Sequence, residues 1–272
     1  MSNTQLLRYQ FQAHPFHLVD RSPWPLLISF SLLMSAVGAA MYFHGFKDSS
    51  LLLSLGLILV IITMLLWFRD VVAEGTYLGH HTLSVQKSLN LGFVLFVVSE
   101  VMFFFSLFWG YFHSALAPTV ELGSTWPPVG IKTLNPWEVP LYNTILLLSS
   151  GAAVTYGHHA LIGKLRSSTL YGLILTVVLA VIFTYMQGLE YSESPFTIAD
   201  GVFGTTFYIT TGTHGLHVII GTLFIFGMLL RIINYHLTNM HHLGLESAIL
   251  YWHFVDIVWL FLFGAVYLWG TI

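Results

Sequence analysis

Glu100 is a single carboxylate inside an apolar and aromatic run, LGFVLFVVSEVMFFFSLFWGYF, residues 91 to 112. Phe93, Phe96, Phe103 and Phe104 stand three, four or seven positions from it, on or beside its helical face. Burying an ion there is costly, so the acid pairs with a partner, stays protonated, or belongs to a pathway. About eleven helical residues, roughly 17 Å, separate it from the start of the helix expected over 89–112, which places it near a bilayer's midplane. Intramembrane acids are functional by default, and the phenylalanine sleeve favours the neutral acid over the ion.

The histidines form the second group with chemical potential. In TTFYITTGTHGLHVIIGTLFIFG, Thr210, His214, His217 and Gly221 share one helical face. Two imidazoles three residues apart can bind a metal, but no carboxylate stands at ligand spacing from this pair. Hydrogen bonding across a helix interface, with small glycines allowing close approach, is therefore the expected role. His253 and Asp256 share a face in YWHFVDIVWLF and read as a buried polar pair. The pairs His80–His81, His158–His159 and His241–His242 fall at helix ends on one side, where histidines meet headgroups or backbone carbonyls. No metal is expected in this chain.

The background makes these groups conspicuous. Of 272 residues, 56% are hydrophobic and only 8% charged, against about 25% in soluble proteins, and mean hydropathy is +0.78. The chain reads as a polytopic membrane protein. With no cysteine, disulfides, thiolate catalysis and thiolate metal sites are excluded. The nine lysines and arginines never cluster, so nucleic acid is not a partner. The first residues, MSNTQLLRYQFQAHPFHLVDRSPWPLL, lack the pattern of a signal peptide or an amphipathic leader, which predicts membrane entry through the spans themselves.

Seven helices are predicted, over 24–43, 51–68, 89–112, 141–162, 170–189, 202–230 and 247–269. Prolines 118, 127, 128, 136 and 140 mark a long loop after the third. Odd helix number puts the termini on opposite sides. The N-terminal side then holds Arg8, Arg21, Arg69, Lys87, Lys164, Arg166 and Arg231, and the other holds Lys47 and Lys132. The positive-inside rule places the N-terminus on the cytoplasm-like side. On that side WFRDVVAEGTYLGHHT gathers Trp67, Arg69, Glu74 and His81, while Arg231 ends the sixth helix with His236 just beyond. Cations and aromatics at one membrane level suit an anionic headgroup.

Several blocks, in order along nearly the whole chain, resemble the family of cytochrome c oxidase subunit 3. They are HPFHLVDRSPWPLL, WFRDVVAEGTYLGHHT, SEVMFFFSLFWGYFHSALAP, WPPVGI, EYSESPFTIADGVFGTTFYITTGTHGLHVIIG and YWHFVDIVWLFLFGAVYLWG. The short tails and FRDVVAEGTYLG look most like the mitochondrial, fungal branch. The resemblance implies a non-redox core subunit of the respiratory terminal oxidase, which passes electrons from cytochrome c to oxygen and pumps protons. Such a subunit is not catalytic by itself; haem and copper lie in neighbouring subunits. Implied partners are oxidase subunits 1 and 2, small accessory subunits, phospholipids and respiratory supercomplexes. The implied location is the mitochondrial inner membrane, N-terminus in the matrix and C-terminus in the intermembrane space.

The family's fold is a single all-α membrane domain in which helices one and two splay from helices three to seven around a lipid-filled cleft. That divides this chain into residues 1–88, with the tail, two helices and matrix loop, and 89–272, a five-helix bundle. Carried over position by position, the lipid-contacting residues are Trp67, Phe68, His81, Glu100, Arg231 and His236, with Glu74 adjacent. Phe68 stands where the animal pattern WWRD has a second tryptophan, and Ala73 replaces an arginine, removing a headgroup cation. Glu100 would face the cleft, with His81 as its polar partner toward the interface. The implied role is support of the neighbouring active site through oxygen access, proton uptake and resistance to turnover inactivation.

Three rival functions compete with this reading. An autonomous haem oxidoreductase would use the histidines as ligands. A retinal protein needs a lysine in its last span, and all four lysines lie in loops. An independent transporter or channel would want polar groups along a path or inverted repeats; the sequence offers one midplane acid and no repeat.

Overall fold

The computed structural model describes residues 14–271, and its regular elements are all helical. Arg8 and the first thirteen residues of the N-terminal stretch read as lacking a leader lie outside the described residues. Seven long helices follow in order: α1 Trp24–Phe43, α2 Ser49–Thr76, α3 Leu83–Leu116, α4 Val139–Ile162, α5 Arg166–Glu193, α6 Gly201–Ile233 and α7 Leu243–Leu262. A π-helical turn, Phe263–Leu268, carries α7 onward. Each is long and apolar enough to cross a bilayer. The all-α, seven-span fold expected from the sequence is the one observed.

The ends differ from the expected ones. α2 runs eight residues past 68, and α3 starts six residues before 89. A bilayer needs only about 20 apolar residues per crossing. Hydropathy marks that stretch and no more. The backbone keeps its helical hydrogen bonds beyond it, through polar residues such as Arg69, Asp70 and Glu74.

Two compact units make up the chain, Met1–Leu89 and Asn90–Ile272. In the first, α1 and α2 form an antiparallel hairpin. Their contact is a stripe of small buried residues: Ser31 and Gly38 on α1, Ser49, Gly56 and Thr63 on α2. A β-carbon on Gly38 would lie 2.7 Å from Leu53 N, and one on Gly56 2.7 Å from Ser35 N. Lipid offers no hydrophobic drive for two apolar helices to meet, so close backbone packing supplies it. At the open end Trp24 Nε1 donates to Asp70 Oδ2 at 2.6 Å, and Arg69 pairs with Asp70 at 2.7 Å.

The second unit packs around α7. Trp252 and Trp259 are fully buried there, and their indole N–H groups donate to Ser150 Oγ at 3.0 Å and Thr144 Oγ1 at 2.9 Å on α4. Gly221 of α6 makes room for Trp252, since a β-carbon there would meet its ring at 2.9 Å. Gly157 of α4 and Gly172 of α5 bring those two backbones together in the same way. This scaffold presents the polar groups.

Candidate functional site

Glu100 projects from α3 toward α6, and its partner is His217: Nε2 lies 2.9 Å from Glu100 Oε2. Phe104 packs edge-on against the imidazole at 4.9 Å, and Phe103, Tyr251 and Phe254 complete the ring of aromatics. His217 Nδ1 sits 2.8 Å from the Thr213 carbonyl, which can only accept, so Nδ1 carries a hydrogen. Nε2 then either accepts from a protonated Glu100 or, as part of an imidazolium, donates to a carboxylate. Both forms hold one proton between the two side chains. In either of these forms the pair is neutral overall.

That pairing corrects the expectation that His81 would answer Glu100. His81 sits in the first unit, its ring 2.8 Å from where a β-carbon at Gly75 would stand. Spacing along α6 showed the face of His217 but not which helix lies opposite. His214, three residues earlier, turns elsewhere: fully buried, it donates from Nε2 to Val255 O at 3.2 Å on α7. The two imidazoles therefore do not converge as a metal pair, and each bonds across a helix interface.

His253 and Asp256 do form a pair, with Nδ1 3.4 Å from Oδ2. Thr155 of α4 joins them. Its hydroxyl donates to Gly151 O at 2.9 Å, so its oxygen accepts from His253 Nε2 at 3.1 Å. Gly151 is glycine because Asp256 Oδ2 occupies the space a β-carbon would need.

One buried constellation was missed. Glu190 Oε1 accepts from Tyr267 Oη at 2.5 Å and from Gln187 Nε2 at 3.0 Å, and Gln187 Oε1 accepts from Asn143 Nδ2 at 3.3 Å. All four residues are buried. The signal was the three-residue spacing of Gln187 and Glu190 in MQGLEYSES, which the expected helix end at 189 cut in two.

Among the residues expected to meet lipid, Trp67 is half-buried and Phe68 exposed near the end of α2. Glu74 pairs with His17 at 3.4 Å, and His17 stacks near His80, with ring centroids 4.8 Å apart. His14 to His17 thus fold back on the α2–α3 turn, where Thr82 Oγ1 also bonds Pro15 O. In the second unit, Arg231 is half-buried beside Gly244 and Met228, and His236 lies half-buried after the end of α6. Arg166, not singled out from sequence, donates to the Ile233 carbonyl at 3.1 Å and stacks 4.1 Å over Tyr235, closing the C-terminus of α6. An apolar groove of about 640 Å³ opens between α3 and α7, walled by Phe104, Phe105, Phe108, Trp109, Phe254 and Phe261.

Comparison with known proteins agrees over nearly the whole length. The family model described as cytochrome c oxidase subunit III matches residues 14–271. Proteins named cytochrome c oxidase subunit 3 from Rhizopus stolonifer and Mycosarcoma maydis are 61% and 60% identical. The first match covers 98% of this chain and 95% of that protein; the second covers 99% and 100%. A third, from Prototheca wickerhamii, is 56% identical over 94% of this chain and 98% of its own. A seven-span fold with this order of blocks, matched end to end at such identity, leaves one conclusion: the chain belongs to the cytochrome c oxidase subunit III family.

Proposed function

We propose that this chain is a non-redox core subunit of the mitochondrial terminal oxidase, held against the catalytic subunit and supporting it through bound phospholipid and a buried proton-holding pair. The observation that carries the reading is the end-to-end identity with relatives named as this subunit. Haem and copper then belong to neighbouring subunits, with subunits 1 and 2 and small accessory subunits as partners. The cation distribution supports an N-terminus in the matrix and a C-terminus in the intermembrane space.

Phospholipid headgroups are assigned to Trp67, Phe68, Glu74 and His81 on the first unit, and to Arg231 and His236 on the second. The half-burial of Arg231 supports this, because a guanidinium sunk among apolar neighbours at a helix end suits a phosphate. The aromatic groove between α3 and α7 has the shape and polarity of an acyl-chain seat. Arg231→Ala is expected to lower the anionic lipid retained by the purified complex, read by native mass spectrometry, with initial electron transfer near normal. Unchanged lipid content rejects the assignment.

The Glu100–His217 pair supports a role in sustaining turnover, as the midplane acid and its imidazole form a neutral proton store beside α3. Glu100→Gln keeps the shape and a hydrogen bond to His217 but cannot hold that proton. The complex should assemble, start oxygen reduction at a normal rate and lose activity earlier over many turnovers. A variant complex that retains activity as long as the parent defeats the proposal.

A further inference from the structure

A histidine cluster outside these sites brings together three groups from two helices. His158 stands near the end of α4, His242 at the N-cap of α7 and Glu246 one turn into α7. One ligand-capable atom from each lies within 4.8 Å of the others, the one such grouping of three among the described residues. His242 Nε2 is 3.2 Å from Glu246 Oε1, and the His158 and His242 rings are 5.3 Å apart between centroids.

The hydrogen bonds fix what these atoms present. His242 Nδ1 is 3.1 Å from the Thr238 carbonyl and so carries a hydrogen, as the outer nitrogen of a metal-bound histidine does. Nε2 then faces Glu246 Oε1, and the 3.2 Å between them calls for a positive centre, either a proton on the imidazole or a bound cation. His158 Nε2 adds a third polar atom, buried and without a hydrogen-bond partner among the described residues. Within the cluster His242 is buried, His158 half-buried and Glu246 exposed.

We propose that His158, His242 and Glu246 bind one zinc ion, tying the end of α4 to the start of α7. Two imidazoles and one carboxylate suit zinc, whereas magnesium and calcium call for oxygen ligands in larger number. Tetrahedral zinc with bonds of about 2.0–2.1 Å sets its ligand atoms roughly 3.3–3.5 Å apart. The His242–Glu246 separation of 3.2 Å lies close to this, and the exposed Glu246 side chain can turn to adjust its distances to both imidazoles. Water fills the fourth position. The i,i+4 spacing of His242 and Glu246 is readable in the sequence, but the expected start of the last helix at 247 left Glu246 outside it.

The test counts zinc on the assembled complex, purified through an affinity tag on this chain so that the result does not depend on which partners accompany it. After removal of loose metal with EDTA, the complex is equilibrated with micromolar radioactive zinc and bound equivalents are measured. Zinc held elsewhere in the complex is common to all samples and cancels in the difference. Glu246→Gln and His158→Gln should each bind one equivalent less than the parent, and the double variant should lose no more than either. A full complement in either variant overturns the proposal. Should His158→Gln fail to assemble, Glu246→Gln decides alone, since its exposed side chain leaves the N-cap intact.

Discussion

Gly172→Val is expected to remove the subunit from the purified complex, while Gly188→Val on the same helix leaves it in place. A β-carbon at 172 would stand 2.8 Å from Ala153 O and from Gly157 N and Cα, all backbone atoms of α4. No side chain can swing aside, so α4 and α5 must separate. That breaks the Thr176 hydroxyl contact with Ser150 O at 3.3 Å and loosens the α4 surface that receives Trp252 through Ser150. Overpacking of this kind costs about 1–3 kcal/mol for small additions and more where backbones meet. At Gly188 nothing lies within 4 Å of the added carbon. The alanine series separates two opposed effects. Alanine gains up to about 1 kcal/mol over glycine in a helix, so Gly188→Ala should raise the thermal midpoint and Gly172→Ala lower it. Equal behaviour of the two positions would show that close approach does not hold α4 to α5.

Glu190→Leu is expected to destabilise the second unit by about 1–3 kcal/mol. The substitution strands the Tyr267 hydroxyl and the Gln187 amide, both of which donate to Glu190 Oε1. In water a stranded buried donor costs about 1–3 kcal/mol on its own. Between membrane helices the measured average is nearer 0.6 kcal/mol per bond, with a maximum of about 1.7, because the separated helices also find partners. The lower scale governs here, and two bonds give the stated range. Glu190→Gln keeps an acceptor oxygen and should stay near the parent. Adding Tyr267→Phe to Glu190→Leu removes one stranded donor and should recover part of the loss, a coupling that a double-mutant cycle reads directly. Strictly additive losses would mean that the carboxylate is not what Tyr267 bonds.

The helix count and order were legible because the bilayer imposes them: each crossing must be a long apolar run with its backbone bonds satisfied internally. α1, expected over 24–43, runs Trp24–Phe43, with Pro25 in its first turn and Gly45 at positive φ just after its end. Neighbourhood was not legible. Glu100 and His217 are 117 residues apart, and nothing in either segment names the other. Glu190 and Glu246 escaped for a shared reason. Both lie in helical turns beyond the apolar stretch, where hydropathy falls while the helix continues. Glycine carried information in both directions, marking close approach at Gly38 and Gly172 but open space at Gly92 and Gly188. Only the facing helix tells these apart.

The hydrogen bond from His217 Nδ1 to Thr213 O has an electrical consequence. With that nitrogen committed, the Glu100–His217 couple has the same total charge whether its proton rests on oxygen or on nitrogen. The cost of placing charge in hydrocarbon therefore separates the two forms by far less than it would two states of a lone acid. What differs between them is a dipole pointing across α3 and α6. Any charge that appears or vanishes near this couple can tilt it by shifting one proton along a single bond, with no ion entering or leaving the membrane. A couple that shares one proton in this way is a polarisable element within the helical bundle.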